Sequence, residues 1–353
     1  MEVNFDLLVS GCHTRCRHCY VRGGPGPHMP LMDVVDCILA LDRLAAALPW
    51  PCSFTLDNEP MGHPGIEEIL EAASCTRHVR YYHHGMTTGI GLMARGDRER
   101  VMRAYLDRGW RDMGVTLHGA EERHDGIVRR AGAHRAALEA ARFMKSCGAE
   151  VNVSLMLNRY FPEDAERIDR ILAQLAPSFI YFAIPNYTPH CRMMDFESCR
   201  ADMGALRQIA SHLTAWGQEA ENLIRRAEEG TIRALRERLG AGLRLKELFR
   251  EPQGGMYLTV RGDCRLYMGN TGAETACLGD VRETDAERTA EIILRSPGNR
   301  DYGAFYDPES LPGEEELASA LDRLNGDLLY SDMASAMYRG LAEMGVPTRI
   351  LSL

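Results

Sequence analysis

The sequence predicts an α/β fold in which parallel strands alternate with helices that lie outside them. Short apolar runs alternate with amphipathic stretches through the first 185 residues. In one of these stretches Leu138, Ala141 and Met144 recur at helical spacing and form one apolar face. Repeated strand–helix units favour a parallel sheet. The predicted strands cover residues 5–9, 53–56, 79–83, 112–117, 150–155 and 179–184.

The predicted helices lie between these strands, over residues 33–48, 66–74, 97–108, 133–147 and 163–175. Residues 198–240 are helix-rich and polar, which is typical of a solvated face. A β-hairpin is expected to turn at Arg261-Gly262-Asp263, and the end of the chain is expected to be helical. We therefore predict three regions: 1–197, a helical connection over 198–250, and a smaller α+β C-terminal domain over 251–353.

Composition restricts the class of protein and its partners. With 45% hydrophobic and 26% charged residues, the 353-residue chain has the balance of a globular protein with a full core. The net charge of -9 argues against nucleic acid as the main partner. No apolar run approaches about 18 residues, and Glu2 and Asp6 stand where a signal peptide would carry positive charge. A cytoplasmic location without a membrane partner is therefore expected.

Three cysteines directly after the first predicted strand are the most informative feature of the chain. Cys12, Cys16 and Cys19 have the spacing Cys-x3-Cys-x2-Cys, and thiolates are soft ligands that suit an iron–sulfur cluster. A four-iron cube held by three cysteines keeps one iron free. The alternative is a structural zinc site completed by His13 and His18, although zinc usually takes two closely spaced pairs of ligands.

The cysteine spacing, the aromatic Tyr20 after the third cysteine and the preceding strand resemble the radical S-adenosylmethionine (radical SAM) superfamily. The resemblance implies a partial (β/α)6 TIM barrel with its chemistry at the carboxyl ends of the strands. It also implies a 4Fe-4S cluster and S-adenosyl-L-methionine (SAM), which is cleaved reductively to a 5′-deoxyadenosyl radical. An electron donor such as flavodoxin or ferredoxin is the implied partner, and Tyr20 becomes a candidate cofactor-binding residue.

The loop after the second predicted strand resembles the family's Gly-Gly-Glu-Pro motif, with Asp57 and Asn58 in place of the two glycines. Glycine there permits positive φ, for which Asn and Asp are the least unfavourable substitutes. The resemblance implies that Glu59, with its neighbour Asn58, binds the SAM ammonium group. Thr87, after the third strand, lies in a turn that resembles the family's Thr-Asn-Gly.

The segment after the fourth predicted strand resembles the family's Ser-Leu-Asp-Gly, so Thr116 matches the serine and His118 replaces the aspartate. Residues 124–132 resemble the family's His-Asp-x-x-Arg-x-x-Gly with one additional residue before the arginine. This implies that Arg129, or alternatively Arg130, pairs with the SAM carboxylate, a bidentate contact that suits guanidinium.

Three further residues are candidates for catalysis. Cys191 takes the glycine position of a turn that resembles the family's Gly-Arg turn, and its thiol could give a hydrogen atom to a substrate radical. Residues 262–281 resemble the start of a SPASM or shortened twitch domain, but they contain only Cys264 and Cys277, and Tyr267 stands where a ligand cysteine is expected. We expect a cysteine-poor cap in which Cys264 and Tyr267 are candidates for substrate contact or for quenching a radical. An auxiliary cluster would have to recruit Cys191 or Cys199.

Three functions are compatible with these features. The first is hydrogen abstraction from a small natural-product intermediate, leading to oxidation, epimerisation, elimination or rearrangement. The second is maturation of a ribosomally made peptide by the same radical chemistry. The third is a non-catalytic iron–sulfur or zinc module.

Overall fold

The computed structural model describes residues 2–19, 23–188, 195–248, 255–269, 277–295, 306 and 311–347. Within these ranges the strands are β1 Val3–Leu8, β2 Cys52–Asp57, β3 Val79–Tyr81, β4 Met86–Thr87, β5 Asp112–Leu117, β6 Glu150–Met156, β7 Phe179–Ala183, β8 Met256–Val260, β9 Arg265–Met268 and β10 Cys277–Asp280. The first eight helices are α1 Leu31–Ala46, α2 Ile66–Ser74, α3 Ile90–Ala94, α4 Arg98–Leu106, α5 Glu121–Val128, α6 Ala133–Ser146, α7 Phe161–Leu175 and α8 Met203–Gln208. They are followed by α9 Ala210–Ala215, α10 Ala220–Glu229, α11 Ile232–Gly240, α12 Leu245–Leu248, α13 Ala286–Arg295, α14 Glu314–Leu321 and α15 Met333–Glu343.

The predicted α/β fold is confirmed, with one difference in the third strand. This strand divides into β3, which pairs in parallel with β2, and β4, which pairs in parallel with β5. The break lies at Gly85, whose φ is +68° and whose added Cβ would lie 2.2 Å from the Asp112 carbonyl oxygen. Only glycine fits this position. The third strand therefore leads the chain from the sheet of β1–β3 to the sheet of β4–β7.

The two faces of the barrel strands carry different side chains. In β1, Val3, Phe5 and Leu7 are fully buried and belong to the main hydrophobic core, to which the apolar faces of α1, α2 and α6 also contribute. The alternate residues face the other side, as the period of a strand requires. There Ser53 Oγ donates to Asn4 Oδ1 at 2.7 Å, and Thr55 Oγ1 donates to Asp6 Oδ1 at 3.0 Å. The inner face is polar.

The predicted hairpin is present, and it extends the sheet of β1–β3. β8 pairs in parallel with the second edge of β1, and β9 and β10 follow in antiparallel order. A second, smaller core lies in the helices α11, α14 and α15, with Ile232, Leu235, Leu317 and Leu341 among its fully buried members. The regional bounds 1–197, 198–250 and 251–353 stay predictions. None of the helices in the described ranges combines the length and apolarity needed to cross a bilayer.

Candidate active site

The three cysteines of the loop between β1 and α1 line one cavity of about 240 Å³ at the carboxyl ends of the strands. Thr14 Oγ1 lies 3.2 Å from Cys12 Sγ and 3.3 Å from Cys16 Sγ. The backbone N–H of Gly23 donates to Cys19 Sγ at 3.0 Å. The loop therefore turns all three thiols towards the same space.

Helix α5 holds this loop in place. The backbone N–H groups of Arg15 and Arg17 donate to the carbonyl oxygens of Val128 and Ile127, each at 3.0 Å. These carbonyls belong to the last turn of α5, which has no partners for them inside the helix. The predicted His-Asp segment thus positions the cysteine loop through its backbone.

The residues present fit an iron–sulfur cluster. Three thiols line one cavity, yet no group of three or more His, Cys, Asp or Glu side chains in the described residues converges on a single metal ion. Three soft ligands on one short loop suit a cluster in which each thiolate binds a different iron. Burial raises the pKa of the Cys16 thiol to about 11, so a bound metal has to displace its proton.

Glu59, Asn58 and Thr87, the cofactor-binding candidates from the sequence, line the same cavity. Glu59 is 6% exposed, and its carboxylate accepts from Thr87 Oγ1 at 2.8 Å and from the Thr88 N–H at 2.6 Å. Asn58 and Glu59 have φ values of +58° and +63°. The backbone therefore keeps the positive φ that glycine provides in the family motif, and Asn58 is a residue that tolerates it.

The other predicted cofactor contacts divide into two groups. Thr116 lines the cavity, whereas Arg129 and Arg130 do not. Arg129 forms an ion pair with Asp195, and Arg130 Nη1 lies 3.5 Å from the His13 carbonyl oxygen in the cysteine loop. Tyr20 lies outside the described residues, so its role stays a prediction.

The candidate catalytic residues that the structure describes lie away from the cavity lining. Cys264 is 3% exposed and hydrogen-bonds with Cys37 of α1. The Tyr267 hydroxyl donates to Asp263 Oδ2 at 3.1 Å. Cys191 lies outside the described residues. The catalytic roles of all three stay predictions.

Cys199, a candidate ligand of an auxiliary cluster, packs in a separate place from Cys264. Its sulfur accepts from Arg17 Nη1 at 3.4 Å, and it forms a small apolar cluster with Ile127 and Phe196. In the described residues these contacts place Cys199 beside the cysteine loop, whereas Cys264 lies against α1.

Sequence reasoning did not select several residues that line the cavity, among them Asp57, His84, His118 and His124. His118 is 2% exposed, and neither of its ring nitrogens has a hydrogen-bond partner. Burial lowers the pKa of His118 well below its ordinary value and the pKa of His124 to about 3, so both imidazoles are neutral. The signal for Asp57 and His118 was in the sequence: both depart from the family motif.

Comparison with known proteins places this geometry in a family. Residues 7–172 match the model of the radical SAM superfamily. No curated protein matches the chain. Among solved structures, the chain is similar to native anSMEcpe with bound AdoMet and Cp18Cys peptide, with 13% identity, a TM-score of 0.57, and coverage of 98% of this chain and 97% of that chain.

A second similar structure is that of Streptococcus suis SuiB bound to precursor peptide SuiA. It has 10% identity and a TM-score of 0.56, and the match covers 94% of this chain and 75% of that chain. At these identities the likeness concerns the fold, which extends over the C-terminal region as well as the barrel. With the family match and the cysteine loop, it leads to one conclusion: residues 7–172 belong to the radical SAM superfamily, and the protein is a radical SAM enzyme with a 4Fe-4S cluster and SAM as cofactors.

Proposed function

We propose that the protein cleaves SAM reductively at a 4Fe-4S cluster held by Cys12, Cys16 and Cys19 and abstracts hydrogen from a carbon of a small, polar natural-product intermediate. The observation that carries the proposal is the shared cavity, which the three thiols line together with the buried carboxylate of Glu59. When bound, the cluster and SAM supply the radical chemistry. The chain itself binds, orients and encloses them.

Glu59 and Asn58 are proposed to bind the SAM ammonium group. The two bonds that the Glu59 carboxylate accepts from Thr87 and Thr88 fix its orientation and leave lone pairs free for a ligand. Thr116, on the sheet of β4–β7, is proposed to contact SAM through its hydroxyl group. Because Arg129 is paired with Asp195, it serves in this proposal to hold the α5 end, and the cysteine loop with it, in position.

The polar inner face of the barrel supports the proposal that the substrate is small and polar. Asn4, Asp6, Ser53 and Thr55 occupy that face on β1 and β2, and β5 and β6 add an Asp112–Asn152 hydrogen bond. A face of this composition offers further hydrogen-bond acceptors to a polar substrate, whereas an apolar substrate would remove water from these groups without replacing its hydrogen bonds. A cytoplasmic enzyme that receives its electron from a flavodoxin or ferredoxin completes the proposal.

A second candidate function is maturation of a ribosomally made peptide. It is favoured by the similar structures, because those of anSMEcpe and SuiB are described with bound peptides. To separate the two functions, the reconstituted enzyme is supplied with deuterated low-molecular-mass metabolites or with deuterated peptides. Transfer of deuterium into 5′-deoxyadenosine from the metabolite fraction supports the first function, and transfer from the peptides supports the second.

Anaerobic reconstitution tests the radical chemistry itself. We expect about four irons per chain and dithionite-dependent formation of 5′-deoxyadenosine in the wild type. Cys16→Ala should lose both the cluster colour and SAM cleavage. Cys75→Ala, at an exposed cysteine outside the cavity, is the matched control and should keep both. Full SAM cleavage by Cys16→Ala, or zinc in place of iron in the anaerobic wild type, would contradict the proposal.

A further inference from the structure

Two carboxylates lie on the inner face of the first two strands, and no established motif of the site accounts for them. Asp6 stands in register with Thr55, and Asp57 follows two residues further along β2. Residues two apart on a strand project from the same face, separated by about 7 Å. Asp6 and Asp57 therefore share the inner face, and Asp57 also lines the cavity that contains the cysteines.

Neither side chain is paired with a cation in the described residues. No ion pair in the described part of the chain includes Asp6 or Asp57, and the basic group that acts on Asp57 is the exposed imidazole of His84. Asp6 accepts one hydrogen bond, from Thr55, and β8 places Thr259 beside it. Burial, with the charge of Asp57, raises the pKa of Asp6 to about 8, so near neutral pH the protein holds a proton on Asp6 that a bound ammonium group would displace. A pair of this kind opposes folding, because a partly buried carboxylate without a cation loses hydration and gains little in return.

His118 gives an independent indication of a ligand in the same cavity. His118 is only 2% exposed, and neither of its ring nitrogens has a hydrogen-bond partner. An unpaired polar group in such a position destabilises the folded protein, because it has lost its hydrogen bonds to water. A ligand in the cavity would remove this cost by donating to one nitrogen or accepting from the other.

We propose that the substrate carries an ammonium group, which binds to Asp6 and Asp57, and a hydroxyl or carbonyl group, which hydrogen-bonds to His118. The proposal rests on the radical SAM function above and deepens it by naming the substrate class: a small, amine-bearing polar molecule such as an amino sugar or aminocyclitol. A lysine side chain of a peptide offers the same ammonium group, and the experiment distinguishes the two sources.

Isosteric probes test the ammonium site on the reconstituted, SAM-loaded enzyme. 1,3-Diaminopropane and 1,3-propanediol differ in charge but little in shape, and their binding is measured by ligand-observed NMR. We expect the diamine to bind at least about tenfold more tightly, a difference of about 1.4 kcal/mol. Asp57→Asn and Asp6→Asn should each abolish this preference. Asp107→Asn is the matched control, because Asp107 is exposed at the C-terminal end of α4 and does not line the cavity, and it should keep the preference.

The outcomes separate this proposal from the proposed function. Equal binding of diamine and diol, or an unchanged preference in both Asp6→Asn and Asp57→Asn, would overturn the ammonium site. SAM cleavage is measured on the same samples, so loss of cleavage with a retained diamine preference contradicts only the radical function.

Glucosamine and Nα-acetyl-lysine amide are then compared: tighter binding of glucosamine supports the small-molecule source, and tighter binding of the lysine derivative overturns it. A thermal unfolding scan of each variant confirms that loss of preference is not loss of fold.

Discussion

The outer and inner faces of β1 differ in the partners that the protein provides for their side chains. On the outer face Val3, Phe5 and Leu7 are fully buried among apolar side chains of the core. On the inner face Asp6 has one hydrogen bond and no cation. The outer face therefore stabilises the fold, whereas the inner face retains polar groups at a cost in stability, which is the behaviour expected of a surface that binds a ligand.

The same distinction separates the cavity from the C-terminal hairpin. In the hairpin the free thiol of Cys264 hydrogen-bonds with that of Cys37, and the Tyr267 hydroxyl donates to Asp263. In the cavity His118 has neither nitrogen paired. The partners of Cys264 and Tyr267 explain these two residues structurally, whereas the unpaired His118, which lines the cavity, points to a ligand.

The largest expected effect is on the outer face. Phe5→Ala removes a fully buried aromatic side chain and should lower the free energy of unfolding by about 3–5 kcal/mol, because it leaves a cavity in the core. Urea unfolding measures this change. SAM cleavage per folded molecule should be unaffected, since Phe5 points away from the cysteines. A loss below about 1 kcal/mol would show that the outer face does not dominate stability.

The inner face should make stability depend on pH. Because the pKa of Asp6 is raised from 3.8 to about 8, the folded protein holds a proton there that the unfolded chain has lost. The resulting contribution is present in full below pH about 4 and is lost as pH rises towards about 8. Urea unfolding from pH 5 to about 8.5 should therefore show stability falling by an amount that Asp6→Asn removes. Asp112→Asn should leave the slope unchanged; the same slope in Asp6→Asn would assign it to another group.

Glu59 combines the two kinds of environment. Its carboxylate accepts two hydrogen bonds from the protein and also lines the cavity. Glu59→Gln removes the negative charge and turns an amide N–H₂ towards one of the donors at Thr87 or Thr88. We expect SAM affinity to fall by about tenfold to a hundredfold, equivalent to about 1–3 kcal/mol. Equilibrium dialysis with the reconstituted enzyme measures this. Glu99→Gln on the exposed face of α4 should bind SAM as the wild type does, and unchanged affinity in Glu59→Gln would remove it from the SAM site.

The smallest expected effect is at Asn58. With φ at +58°, Asn58→Gly should change the free energy of unfolding by no more than about 0.5 kcal/mol, whereas Asn58→Val should cost about 1–2 kcal/mol. Thermal unfolding of the two variants provides the measurement. If valine is tolerated as well as glycine, the left-handed backbone is not required at this loop.

Local features of the chain were predictable because they depend on neighbours in sequence. Helix α2 and strand β5 have the predicted bounds, the cysteine loop follows β1, and Asn58, Glu59 and Thr87 meet as the motifs indicate. Periodicity and short motifs report which face of an element is apolar and which loop follows it. They therefore predicted the strand–helix repeat and indicated residues that lie together at the cavity, whose roles stay predictions.

Contacts between distant segments were not accessible in this way. The division of the third strand at Gly85, the parallel pairing of β8 with β1, the pairing of Cys264 with Cys37, and the absence of Arg129 from the cavity lining all depend on residues far apart in sequence. The same holds for Asp6, Asp57 and His118. Their residue types were visible in the chain, but their lack of partners arises from the packing of separate strands, because burial and hydrogen bonding are properties of the assembled barrel.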